Sequence, residues 1–155
     1  MTDKLSIFAA FLALLSTLPF LPAEAQDRQA APTFGILTLV SPIRPSPHEL
    51  KIEGGGTVMA LRTGSGCSGF ISEAPEVRLR YTARSPSLLI QVESARDTTL
   101  MILMPDGSIA CNDDYDGRHP GLLFRQPQSG DYVIWVGVFG GSSRTPAVLR
   151  ISEAP

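Results

Sequence analysis

The sequence predicts an all-β fold, an antiparallel β-sandwich of jelly-roll-like organisation, on three observations. From Phe34 onward, short runs rich in β-branched and aromatic residues alternate with turn residues. The turns are marked by Gly54-Gly55-Gly56, Gly64-Ser65-Gly66, Pro105-Asp106-Gly107, Ser129-Gly130-Asp131 and Gly140-Gly141-Ser142-Ser143. No segment beyond the N-terminal region carries a sustained helical stripe of apolar side chains.

Taken in order, the expected strands are Phe34–Val40, Glu49–Ile52, Thr57–Leu61, Glu76–Tyr81, Leu88–Glu93, Thr98–Met104, Ser108–Ala110, Leu122–Phe124, Tyr132–Val138 and Ala147–Ile151. Pro42, Pro45 and Pro47 confine the stretch between the first two to a loop or a sheet edge. Val77, Leu79 and Tyr81 alternate with Glu76, Arg78 and Arg80, so one face of that strand is buried. Leu88, Ile90 and Val92 do the same against Gln91 and Glu93. Thr98–Met104 and Tyr132–Val138 are apolar on both faces, as central strands are. The number and spacing of these runs suit two packed sheets.

The first 25 residues read as a signal peptide. Lys4 is followed by the apolar run Leu5–Leu21, then by Pro22 and by small residues at Ala23 and Ala25, so that Gln26 begins the mature chain. The alternative, an uncleaved anchor, needs about 20 uninterrupted apolar residues, and Pro19 breaks this run. Residues 26–33 are polar and small, and read as a disordered leader to a single domain over 34–155. The mature chain keeps 12 basic and 13 acidic side chains, because Lys4, Asp3 and Glu24 leave with the signal. Lys51 is its single lysine, and no basic run exists. That balance excludes nucleic-acid binding by bulk electrostatics. No membrane span is expected after cleavage, and the destination is the periplasm or the exterior.

Cys67 and Cys111 are an even pair in an exported chain, which reads as one disulfide. Such a link stabilises by about 4 kcal/mol in the chain-entropy account.

Several pieces, in order, carry a family resemblance: Asp97-Thr98-Thr99-Leu100, Pro105-Asp106-Gly107, Asn112-Asp113-Asp114, Ser129-Gly130 with Tyr132, and Ile134-Trp135-Val136-Gly137. The Gly54-Gly55-Gly56 turn and Cys67 followed by Gly69-Phe70-Ile71 accompany them. The run, roughly residues 34–153, resembles the pre-peptidase C-terminal-type β-sandwich domains of exported bacterial proteins. The resemblance implies a compact antiparallel sandwich that serves secreted peptidases as an accessory. Some of its relatives hold calcium, and some resemble collagen-binding modules.

Candidate sites follow from the residues themselves. Asn112, Asp114, Asp116 and Gly117 match the opening of a calcium loop, with oxygen ligands at alternate positions. An EF-hand would need a glutamate where Leu123 stands, so the metal reading is a looser calcium site drawing on Asp106, Asn112, Asp113, Asp114 and Asp116. The competing reading is a solvated loop in which Asp and Asn serve turn geometry. Trp135 reads either as core or, with Tyr115, Tyr132 or Phe139 beside it, as an aromatic binding platform. Arg78 and Arg80 read as a solvated face or a binding stripe. No catalytic residues are assigned. His48 and His119 lack a nucleophile at hydrolase spacing, and Gly66-Cys67-Ser68-Gly69 is not the nucleophile-elbow pattern. The expectation is therefore a non-catalytic binding or accessory module with a protein or polysaccharide partner. A cell-envelope interaction subunit and a small secreted hydrolase are the alternatives.

Overall fold

Eleven strands and no helix make up the regular structure in the computed structural model, which describes residues 27–60 and 67–153. The signal-peptide reading of residues 1–25 and the turn at 64–66 lie outside the described residues. The strands are β1 Ile36–Val40, β2 His48–Gly54, β3 Val58–Met59, β4 Phe70–Ile71, β5 Val77–Thr82 and β6 Ser87–Ser94. They continue with β7 Thr98–Leu103, β8 Ile109–Asn112, β9 Gly121–Arg125, β10 Gly130–Val138 and β11 Thr145–Ser152. The ten expected strands are all present with shifted ends, and β4 is the one that sequence patterning overlooked. Its two residues follow Gly69, and a single alternation gives no period to read.

Two sheets form a β-sandwich. The first has seven strands. β10 lies at its centre, with β5 and then β1 on one side and β7 and then β8 on the other; β4 and β3 continue from the far end of β10. The second runs β2-β11-β6-β9 and is antiparallel throughout. One pairing departs from the antiparallel rule: β1 lies parallel to β5, Ile36 opposite Arg78 and Val40 opposite Thr82. These two strands are far apart in sequence, and the chain crosses to the second sheet between them, so no hairpin imposes an antiparallel join.

Alternation decides which side chains meet between the sheets. Val77, Leu79 and Tyr81 from β5, Leu100 and Ile102 from β7, and Ile134 and Val136 from β10 face Leu88, Ile90 and Val92 from β6 and Leu149 and Ile151 from β11. Each such side chain, fully removed from water, contributes about 2 kcal/mol. The outer face of the first sheet is also apolar, and residues of 54–60 and 67–72 cover it. Val58, Ala60, Cys67 and Ile71 among them pack on Met101, Val133 and Trp135. This second core is why β7 and β10 are apolar on both faces. Gly54-Gly55-Gly56 lets residues 54–60 press close: a Cβ at Gly54 would lie 2.6 Å from the Val136 side chain, and the Gly55 amide donates to the Val136 carbonyl at 2.8 Å.

Of the expected leader at 26–33, the described residues 27–33 are docked rather than frayed. The Asp27, Thr33 and Phe34 amides donate to the carbonyls of Glu73, Pro75 and Glu76, and Arg78 reaches the Arg28 carbonyl at 3.1 Å. Polar composition misled the expectation, because backbone pairing needs no apolar side chain.

Candidate functional site

The acidic loop between β8 and β9 is built by its own polar groups. At its base, Cys111 is bonded to Cys67, with the two Cα atoms 5.5 Å apart. Next to that link, Asp113 Oδ2 accepts from the Ser68 hydroxyl at 2.6 Å. Asn112 Oδ1 accepts from the Gly121 amide at 2.9 Å and closes the loop on itself. At the tip, the Tyr115 and Asp116 amides both donate to the His119 carbonyl, and the His119 amide returns a bond to the Asp116 carbonyl. Gly117 turns the chain with φ of 60°, a backbone conformation in which other residues are strained.

This accounts for several of the residues singled out as calcium ligands. Asp106 is not part of the loop at all. It sits in the turn between β7 and β8, at the other end of β8, where its Oδ1 accepts from the Ser108 amide and hydroxyl. Those bonds hold its carboxyl below the usual carboxylate range. Asn112 and Asp113 already accept from Gly121 and Ser68, and Asp114 and Asp116 are exposed. Among the described residues, no three His, Cys, Asp or Glu side chains are placed to share a cation. A calcium ion asks for six to eight oxygens; of the five residues, Asp106 lies apart from the other four, and Asn112 and Asp113 each already accept one hydrogen bond.

Trp135 is fully buried in the second core, its indole N–H toward the Glu73 carbonyl at 3.5 Å. The platform reading is corrected accordingly: Val58, Ala60, Cys67 and Ile71 cover the face on which Trp135 stands. β10 ends at Val138, so Phe139, although exposed, does not continue that strand face. Tyr115 is exposed, but on the opposite side of the molecule's layers. Its ring lies over Gly121, where a Cβ would come within 2.8 Å of it, and beside Gln91. Arg78 and Arg80 flank Asp131 at 3.8 and 3.7 Å, an exposed arrangement worth little in stability.

What the loop does instead is wall a groove. It folds against the outer face of the second sheet, whose residues are ordered in rows by register. Lys51, Val148 and Glu93 form one row across β2, β11 and β6; Glu49, Arg150 and Gln91 form the next. Arg150 holds Glu49 at 2.9 Å and Glu93 at 3.0 Å. The groove has a volume of about 510 Å³, with Arg118 and His119 on the loop side, Lys51 on the β2 side, and Pro146, Ala147 and Val148 between them. A smaller recess of about 60 Å³ shares Glu93 and His119 and adds Gln91, Asp116 and Arg150. His119 Nδ1 is shielded from solvent and has no hydrogen-bond partner among the described residues. A volume of this size is in the range of small-ligand and side-chain pockets.

Sequence reasoning did not bring Lys51, Glu93, Arg150 and His119 together around this groove. The alternation of Glu49, Lys51 and Glu53 on β2 is the local signal of a solvent face there. Which strands lie beside it is a matter of register, which no local pattern holds.

No protein-family model matches this chain. No curated protein matches it. A solved structure of Aeromonas hydrophila PliG, a periplasmic lysozyme inhibitor of g-type lysozyme, is similar over 77% of this chain and 97% of that one, with a TM-score of 0.41 and 17% identity. Both values are too low for the likeness to speak to partner or activity.

Proposed function

We propose that this chain is a non-catalytic, exported binding module of the pre-peptidase C-terminal type, and that it binds through the outer face of its second sheet. The groove walled by the 113–120 loop carries this reading. A disulfide, a buried-edge hydrogen bond to Ser68 and the Asn112–Gly121 bond all serve to fix the one loop that shapes it. A site fixed in advance loses less entropy on binding. Export is supported by the disulfide, which persists in oxidising compartments, and by the signal-like N-terminal sequence. Among the described residues no helix is long and apolar enough to cross a membrane.

A partner captured by the immobilised protein tests the reading. Val148→Trp fills the groove floor and should abolish capture, whereas Arg80→Ala, on the other sheet, should leave it unchanged. The reverse pattern rejects the groove.

A second reading, an envelope interaction subunit, is favoured by one observation. The edge strand β1 shows Ile36 and Val40 to solvent at 52% and 45% exposure and carries no charge, and such an edge can accept another strand. Concentration-dependent oligomers that disappear in Val40→Lys would support it; a monomer at all concentrations would remove it.

A further inference from the structure

We infer that the groove takes a carboxylate from a partner protein, an acidic segment laid over Val148 with its charge between Lys51 and Arg118. This deepens the binding reading above and rests on it. Charge complementarity is the first argument. The whole chain carries a net charge of −2, yet the groove's own lining carries two cations, Lys51 and Arg118, against one carboxylate; Asp116 lies outside it, in the adjoining recess. Glu93, its single lining carboxylate among the described residues, is matched by Arg150 at 3.0 Å. Lys51 and Arg118 make no ion pair among the described residues. Two exposed cations facing each other across a floor repel, and an incoming anion relieves that repulsion.

The lining settles the class of partner. Between the cations lie Ala95, Pro146 and Val148, a small aliphatic floor suited to the methylenes of a glutamate or its neighbours, while Ile52 and Ala147 point inward to the core between the sheets. Among the described residues no Phe, Tyr or Trp lines the groove; Tyr115 stands aside over Gly121. A sugar ring therefore finds no stacking surface there, and a peptide side chain needs none. His119 contributes a ring whose Nδ1 has no partner, available to the polar backbone of the same segment on modest rearrangement.

The test uses the oxidised protein purified from the exported fraction, labelled with ¹⁵N, and three probes: capped hexaglutamate, capped hexalysine and polygalacturonate. Hexaglutamate should shift the Lys51, Arg118, His119 and Val148 amides saturably. Affinity should fall about tenfold in the Lys51→Ala/Arg118→Ala double variant and fall further with added salt. Both side chains are exposed, so the variant should keep the wild-type melting midpoint, measured alongside. Equal binding by the double variant, or equal shifts from hexalysine, overturns the carboxylate inference while leaving a groove that binds. Tighter binding of polygalacturonate at the same amides transfers the site to acidic sugars and also overturns it. Hexaglutamate that shifts no groove amide overturns the inference and removes its ligand from the binding reading as well.

Discussion

Glu76 sits where a backbone ladder breaks. β5 pairs with β10 as far as Ile134, and β4 takes up the edge again at Val138. In the gap, the Val136 amide donates to Glu76 Oε2 at 2.8 Å, and the Ser72 hydroxyl reaches Oε1 at 2.5 Å. The side chain is fully buried, and burial pushes its carboxyl up to about 7 from an ordinary 4.5, against the opposing pull of Ser72 and Val136. The fold therefore prefers the protonated acid. Its contribution is complete below about pH 4.5 and is lost as pH rises through about 7, by roughly 3 kcal/mol at most. Glu76→Gln keeps the shape and removes the charge. The difference in urea midpoint between wild type and variant should turn in the variant's favour between pH 5 and 8. A difference independent of pH would show that Glu76 is not the titrating group. Alternation placed Glu76 outward with Arg78 and Arg80, and it does face that way. What the sequence does not contain is the local cue that Ser72 lies against it. Trp135 repeats the lesson on the next strand. As the chain's single tryptophan, it should give blue-shifted emission resistant to acrylamide quenching. Trp135→Ala should cost about 3–5 kcal/mol. A red-shifted, quenchable emission would return it to the surface.

At the level of elements, the acidic loop was visible in the sequence as an element but not in its purpose. Asp and Asn at alternate positions are what a calcium loop and a self-bonded turn share, so local spacing cannot separate the two. The distinction depends on Ser68, 45 residues away from Asp113, and on Gly121 across the loop. Two consequences differ between the readings. Asp113→Ala, which strands the Ser68 hydroxyl, should lower stability by about 1 kcal/mol, and the exposed Asp114→Ala should stay within about 0.5 kcal/mol of wild type. Thermal melts in millimolar calcium and in excess chelator should superimpose. A midpoint several degrees higher with calcium, lost in Asp114→Ala, would make the loop a metal site after all. The strands fared differently. β5 and β6 were legible because each buries one face, and β7 and β10 because they bury both. β4 was too short to show any period.

For the molecule as a whole, composition and turn chemistry were enough to indicate a two-sheet sandwich, since packing sheets face to face is one of the few ways to bury so many short apolar strands without helices. The parallel β1–β5 pair and the second core were out of reach, because both arise from where a long excursion lands. The same holds for the groove: its charges come from β2, β6 and the 113–120 loop, segments brought together by register and by a disulfide. That groove is the proposed binding face. The most direct measurement places a photo-crosslinking residue at Val148 and, separately, at Arg80, and irradiates cells exporting the protein. Crosslinks to a discrete partner from position 148 and none from position 80 are the predicted result. Crosslinks from position 80 alone would contradict it and move the binding face to the first sheet.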